Sequence, residues 1–159
     1  MGNLLYFCSM IDKNKIPDWW AVCQNENCEL AETCLRQQAC RNMPSNIQKW
    51  TSIMPHAQKD RDCKFFQKYE KVMMARGLNN IFNNVRARGA KSDIRETLTA
   101  ELGSKGTYYR YKDGEKLIGP SLQKMIIDIV HRFAPEAEVH FDEEFEAYDY
   151  TIGVPLREE

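Results

Sequence analysis

Apolar residues recur at helical intervals through the middle and later parts of the chain, while the first third is broken by loop signals. Leu78, Ile81, Phe82 and Val85 stand at i, i+3, i+4 and i+7 after Gly77, which predicts a helix that stops at Gly89 in VRARGAKSD. A second helix is predicted from Ser92, its N-cap, carrying Ile94, Leu98 and Leu102 inward and ending at Gly103. A third runs from Gly119-Pro120 to Phe133, where Leu122, Met125, Ile126, Ile129, Val130 and Phe133 form a complete apolar stripe before Pro135. Upstream, ELAETCLRQQAC has Leu30, Ala31, Cys34, Leu35 and Ala39 at helical spacing. It reads as a helix of about three turns, capped near Asn27 and ended before Pro44. DRDCKFFQKYEKVMM reads as another, with Cys63 at its start and Phe65, Phe66, Tyr69, Val72 and Met73 on its apolar face.

Two stretches are less regular. In SKGTYYRYKDGEKLIG, the Tyr109/Tyr111 alternation and the Asp113-Gly114 turn fit a short β-hairpin, whereas Ser104 and Gly114 equally bracket a helix from Lys105 to Lys112. Local propensity favours the hairpin, because tyrosine and threonine are better strand than helix formers. EVHFDEEFEAYDY fits a strand or a solvated acidic tail. Together these elements predict a mainly α fold, an α+β arrangement with little strand. A Cys- and Trp-rich, loop-rich subdomain over 1–75 precedes a helical basic unit over 76–134 and an acidic segment over 135–159.

Charge sharpens that division. The formal net charge of −1 hides 10 basic and 5 acidic side chains in 76–124, against 2 basic and 10 acidic in 125–159. The middle is therefore +5 and the end −8, a polarity that suits a basic binding surface and an acidic or self-masking face. MGNLLYFCSM has no basic n-region or cleavage pattern, and no stretch approaches the roughly 20 apolar residues of a membrane span, so a cytoplasmic protein is expected.

Four of the six cysteines fall within CQNENCELAETCLRQQAC. Glutathione keeps cytosolic thiols reduced, which leaves metal ligation or simple burial. Cys34 and Cys40 would be turned about 120° apart on one helix and so could not easily share an ion. Cys23 and Cys28 lie in the irregular approach to that helix, Cys34 points back from it, and Cys63 at a helix N-terminus favours the thiolate that binds metal. The expected site is Cys23, Cys28, Cys34 and Cys63 around zinc, with an iron–sulfur cluster as the second choice and His56 as a substitute ligand. Four protein ligands leave no open position, so such a site would brace the subdomain rather than catalyse. Cys8 reads as a core thiol, Cys40 as a partly buried bystander, and Trp19, Trp20 and Trp50 as cover for a small core.

ETLTAELGSKGTYYRYKDGEKL resembles the helix-turn-helix of bacterial repressors of the TetR and Cro/repressor types. Gly89, Leu98, Gly103 and Ser104-Lys105-Gly106-Thr107-Tyr108-Tyr109 stand in the TetR order, although Gly103 meets Ser104 directly and the long ligand domain of that family does not follow. The resemblance covers residues 78–118 and implies duplex DNA as partner, a homodimer, and a recognition helix over 105–112. Lys105 and Thr107 would lead into the major groove, Tyr109 would reach a phosphate and Tyr108 would pack inward. Arg86, Arg88, Lys91, Arg110 and Lys112 would neutralise the backbone. As a hairpin, the same tyrosines would offer a stacking surface for single strands. The whole chain also loosely resembles an uncharacterised family of small proteins from gut Bacteroidales, through CQNENCELAETCLRQQA, DCKFF, YYRYKDGEKLIGPSLQKMI and FDEEFEAYDY, which groups the same four cysteines.

Catalysis is not expected. His56, His131 and His140 are scattered, Asp142, Glu143, Glu144 and Glu146 form a charge run, and neither a dinucleotide fingerprint nor a phosphate-binding loop occurs. The leading expectation is a DNA-binding regulator braced by zinc. A protein-interaction module and a thiol or iron–sulfur redox protein are the alternatives.

Overall fold

The computed structural model describes residues 11–57 and 63–152. The fold is mixed α/β, mostly helical, with a few short strands. It divides into two units, one built from the described residues up to Glu70 and the other spanning Lys71–Ile152. No helix among the described residues is long and apolar enough to cross a membrane.

In the first unit, β1 (Val22–Cys23) pairs in parallel with β2 (Ser52–Ile53), and helix α1 (Leu35–Arg41) packs on β1. Trp20, Val22, Leu35 and Ala39 make the core beneath them. The three-turn helix expected from Leu30 onward is interrupted. A 3-10 turn covers Ala31–Thr33, Cys34 is extended at φ −99° and ψ 119°, and only then does α1 begin. The cause is a neighbouring chain segment. Cys34 bridges Lys68, Leu35 N–H donates to the Gln67 carbonyl at 2.7 Å, and Tyr69 N–H donates to the Thr33 carbonyl at 2.7 Å. Tertiary hydrogen bonds outweigh the local helical preference there.

The second unit is built on the antiparallel sheet β4-β3-β5, with β3 (Val72–Arg76) between β4 (Leu117–Ile118) and β5 (Glu143–Ala147). Ala75 faces Ile118 across one edge, and Met74 faces Phe145 across the other. Val72 and Met73 therefore lie in a strand instead of the helix expected after Cys63, because two flanking strands supply ladder partners that no periodicity in the segment reveals. The acidic segment supplies one of them, its Glu143 carboxylate 3.8 Å from Arg76.

Helix α4 (Pro120–Phe133) follows its apolar stripe, with Pro120 at the first turn, where a missing N–H costs nothing, and Ile126, Ile129 and Val130 buried. Against it packs α2 (Ala90–Glu101), burying Ile94 and Leu98, and α3 (Lys105–Lys112) packs on α2 through Tyr108. Residues 78–85 bury Ile81 and Val85 as expected but form only a 3-10 turn over Asn80–Phe82. Four asparagines in LNNIFNNV favour such turns, and the Asp142 carboxylate accepts the Asn80 N–H at 2.8 Å.

Candidate functional site

Cys23, Cys28, Cys34 and Cys63 line one cavity of about 20 Å³ with Asn25, Arg36 and Gln37. All four are free thiols, as is Cys40. Yet among the described residues no group of three or more His, Cys, Asp or Glu side chains could hold a metal ion. That finding overturns the expected four-cysteine zinc or iron–sulfur centre, and with it the metal-braced regulator. Both premises of the expectation fail in the backbone. Cys34 does not project from a helix, and Cys63 stands before a turn instead of at a helix N-terminus. The positive charge facing these sulfurs comes from the chain itself. Arg36 is buried, donates from Nε to the Phe65 carbonyl at 3.0 Å and from Nη1 to the Ala21 carbonyl, and stacks over Trp20. Burial pulls its pKa down from the ordinary arginine value, opposed by Cys34, Cys23 and Cys63. Burial also pushes the Cys40 thiol up, with Cys23 and Glu26 adding to it. His56 lines a different groove, with Met54 and Lys64, and Cys8 lies outside the described residues.

The basic surface takes definite form on α3. SKGTYYRYK folds as a helix, not a hairpin, because Ser104 is an extended N-cap whose Oγ accepts the Thr107 N–H at 3.0 Å. Gly103, at φ 83°, ends α2 one residue earlier in the left-handed region that favours glycine. Tyr108 is the buried residue of α3, while Lys105, Tyr109 and Arg110 are exposed. The two tyrosine rings meet edge to face at 5.3 Å. Thr107 is less free than its position suggested, since Ser104 Oγ also lies 3.0 Å from its hydroxyl. Arg110 pairs with Glu115 at 3.3 Å and Lys112 with Asp113 at 3.6 Å. Arg86, Arg88, Lys91 and Lys105 are exposed and have no ion-pair partner among the described residues.

Over residues 8–150 the chain matches a family of unknown function (DUF6078). It belongs to that family. No curated protein and no solved structure matches it.

Two residues of that surface escaped the sequence reading. Arg95 and Glu96, on α2, line an open groove of about 380 Å³ with Ser92, Thr99, Lys105, Tyr109 and the buried Tyr108. The Arg95 guanidinium is 5.9 Å from the Phe82 ring centroid and close to the Tyr108 phenol. Burial raises the Tyr108 pKa above its ordinary value, with Arg95 working against the rise, and burial likewise raises that of Tyr111. The signal was present. Ser92, Arg95 and Thr99 stand at i, i+3 and i+7, opposite the buried Ile94 and Leu98, and face whatever element follows Gly103.

Proposed function

We propose that this chain is a binding module for nucleic acid, docking the phosphate backbone along α3 without help from a metal. One observation carries the reading: α3 is a helix of eight residues that bears three cations and no carboxylate, with Tyr108 buried and Tyr111 partly buried against the core. The tyrosines on its inner side leave Lys105, Tyr109 and Arg110 exposed, and a duplex major groove admits a helix of that diameter. Lys105 supplies the leading charge because nothing among the described residues pairs with it, and Tyr109 offers a phenol to a phosphate oxygen. Arg86, Arg88 and Lys91 extend the cationic surface toward the start of α2. Arg110 and Lys112 contribute less, because each must give up a carboxylate neighbour. The role is one of binding and not of catalysis.

Contacts of this kind displace condensed counterions, so affinity should fall steeply as salt rises. The test is binding of a labelled duplex at several salt concentrations, with Lys105→Ala and Arg110→Ala. Each variant should make the slope of log K against log salt shallower by about 0.9 for every phosphate it no longer neutralises. Binding that ignores salt, or a wild-type chain that binds no duplex, would overturn the reading.

A further inference from the structure

We propose that the groove between α2 and α3 is a seat for a phosphate group, held between Arg95 and Lys105 with the Tyr108 hydroxyl as donor beneath it. The inference rests on the nucleic-acid reading for its surface and deepens it by naming one contact that the sequence did not show.

Three independent observations converge on the groove. Arg95 and Lys105 both line it, from different helices, and neither has an ion-pair partner among the described residues. The Tyr108 hydroxyl is buried and finds no acceptor for its proton, in a residue only 1% exposed. A buried donor left unmade costs free energy, and a phosphate oxygen drawn in by Arg95 would supply its acceptor. Finally, the groove lies at the start of α3. Ser104 caps the Thr107 N–H, while the amides of Lys105 and Gly106, in the first turn, have no intrahelical acceptor and point along the positive end of the helix dipole.

Glu96 is the one carboxylate in the lining. Its charge opposes an anion, so it fixes the seat on the Arg95–Lys105 side and makes Glu96→Gln an informative variant. The phosphate chemistry has two sources, an internucleotide diester or the monoester of a small molecule, and the second carries more charge for two cations to neutralise.

The full chain is titrated with a duplex oligonucleotide in one arm and with ribose 5-phosphate in the other, at constant ionic strength, alongside Arg95→Gln, Tyr108→Phe and Glu96→Gln. Arg132→Gln, on α4 away from the groove, serves as control, and circular dichroism verifies folding. Loss of a charge-assisted hydrogen bond should weaken whichever ligand occupies the seat roughly tenfold or more for Arg95→Gln, and a few-fold for Tyr108→Phe. Glu96→Gln should tighten it and Arg132→Gln leave it unchanged. Duplex binding that needs Lys105 but ignores Arg95, Tyr108 and Glu96, with no ribose 5-phosphate binding, would overturn the seat while leaving nucleic-acid docking intact. Ribose 5-phosphate binding sensitive to Arg95 in a chain that binds no duplex would do the reverse. Arg95→Gln and Arg132→Gln weakening either ligand equally would reduce the groove to diffuse charge and sink the proposal.

Discussion

The Arg36 guanidinium lies 4.3 Å from the centroid of the buried Trp20 ring, so the core of the first unit is organised around a cation. The same group donates to the Ala21 and Phe65 carbonyls, tying together segments far apart in sequence. Arg36→Ala removes the stacking and leaves both acceptors without that donor, a loss of about 2–4 kcal/mol. Arg36→Lys should recover little of it, because an ammonium cannot span two carbonyls and stack as a plane at once. Trp19, Trp20 and Trp50 are the only tryptophans of the chain and all belong to this unit, so urea unfolding followed by tryptophan fluorescence reports it selectively. An unchanged midpoint in Arg36→Ala would contradict the assignment.

Two glycines with almost the same backbone angle should respond differently to alanine. Gly77 (φ 77°) is so close to Asp142 that a Cβ would stand 2.2 Å from its Oδ2, whereas a Cβ on Gly103 (φ 83°) would meet nothing within 4 Å. Gly103→Ala therefore incurs only the left-handed strain, about 1–2 kcal/mol. Gly77→Ala adds a clash that displaces a carboxylate already holding the Asn80 N–H and the Asn79 side-chain amide. It should destabilise the second unit by at least about 1 kcal/mol more than Gly103→Ala, beyond strain alone. Urea unfolding monitored by far-ultraviolet circular dichroism compares the two. Equal losses would show that the Asp142 contact contributes nothing.

What the sequence made legible depended on whether an element's partners were local. Helix α4 was readable to its last residue because Pro120, the apolar stripe and Pro135 are properties of the segment itself. So was the end of α2 at Gly103. Residues 72–74 and 34 depart from the helical reading for the opposite reason: their strand partners, Phe145–Ala147 for the one and Lys68 for the other, lie well away along the chain. Cys23, Cys28, Cys34 and Cys63 do line one cavity, but the metal centre expected of them fails, because Cys34 stands extended ahead of α1 and Cys63 precedes a turn and not a helix. Arg36 was invisible as a site residue, since a charged position within a helical stretch reads as solvated until its partners, Trp20 and Phe65, are placed in space.

The start of α3 hangs on one hydroxyl. Ser104 Oγ accepts the Thr107 N–H, and Ser104→Ala removes that cap at a cost of about 1 kcal/mol. Ser104→Asp keeps an acceptor in place and adds a negative charge at the helix N-terminus, where the dipole favours it. The two variants thus separate fold from function. Ser104→Ala should lower the stability of the second unit and weaken duplex binding modestly. Ser104→Asp should retain stability yet weaken binding more, by setting a carboxylate beside Lys105. If Ser104→Asp bound the duplex as well as the wild type, α3 would not approach the phosphates by its first turn.

Alkali should destabilise the second unit through its tyrosines, and the sign follows from burial. Tyr108 has a folded-state pKa raised above its ordinary 10.0, chiefly by desolvation, with Arg95 opposing, and burial raises Tyr111 from the same value. The folded chain thus holds these protons more tightly than the unfolded chain, so it binds more of them once the unfolded phenols begin to titrate. The stabilisation is complete below pH 10 and is lost progressively as pH rises above it toward the folded-state values. Urea midpoints by circular dichroism should fall between about pH 9 and about pH 11, a range in which lysines also titrate. The comparison with Tyr108→Phe isolates the phenol, because that variant keeps the ring and loses only the ionisable hydroxyl. Its midpoint should decline less steeply with pH than the wild type's. Identical slopes would mean that the Tyr108 hydroxyl reaches solvent as freely in the folded chain as in the unfolded one, which would also deprive the α2–α3 groove of its buried donor.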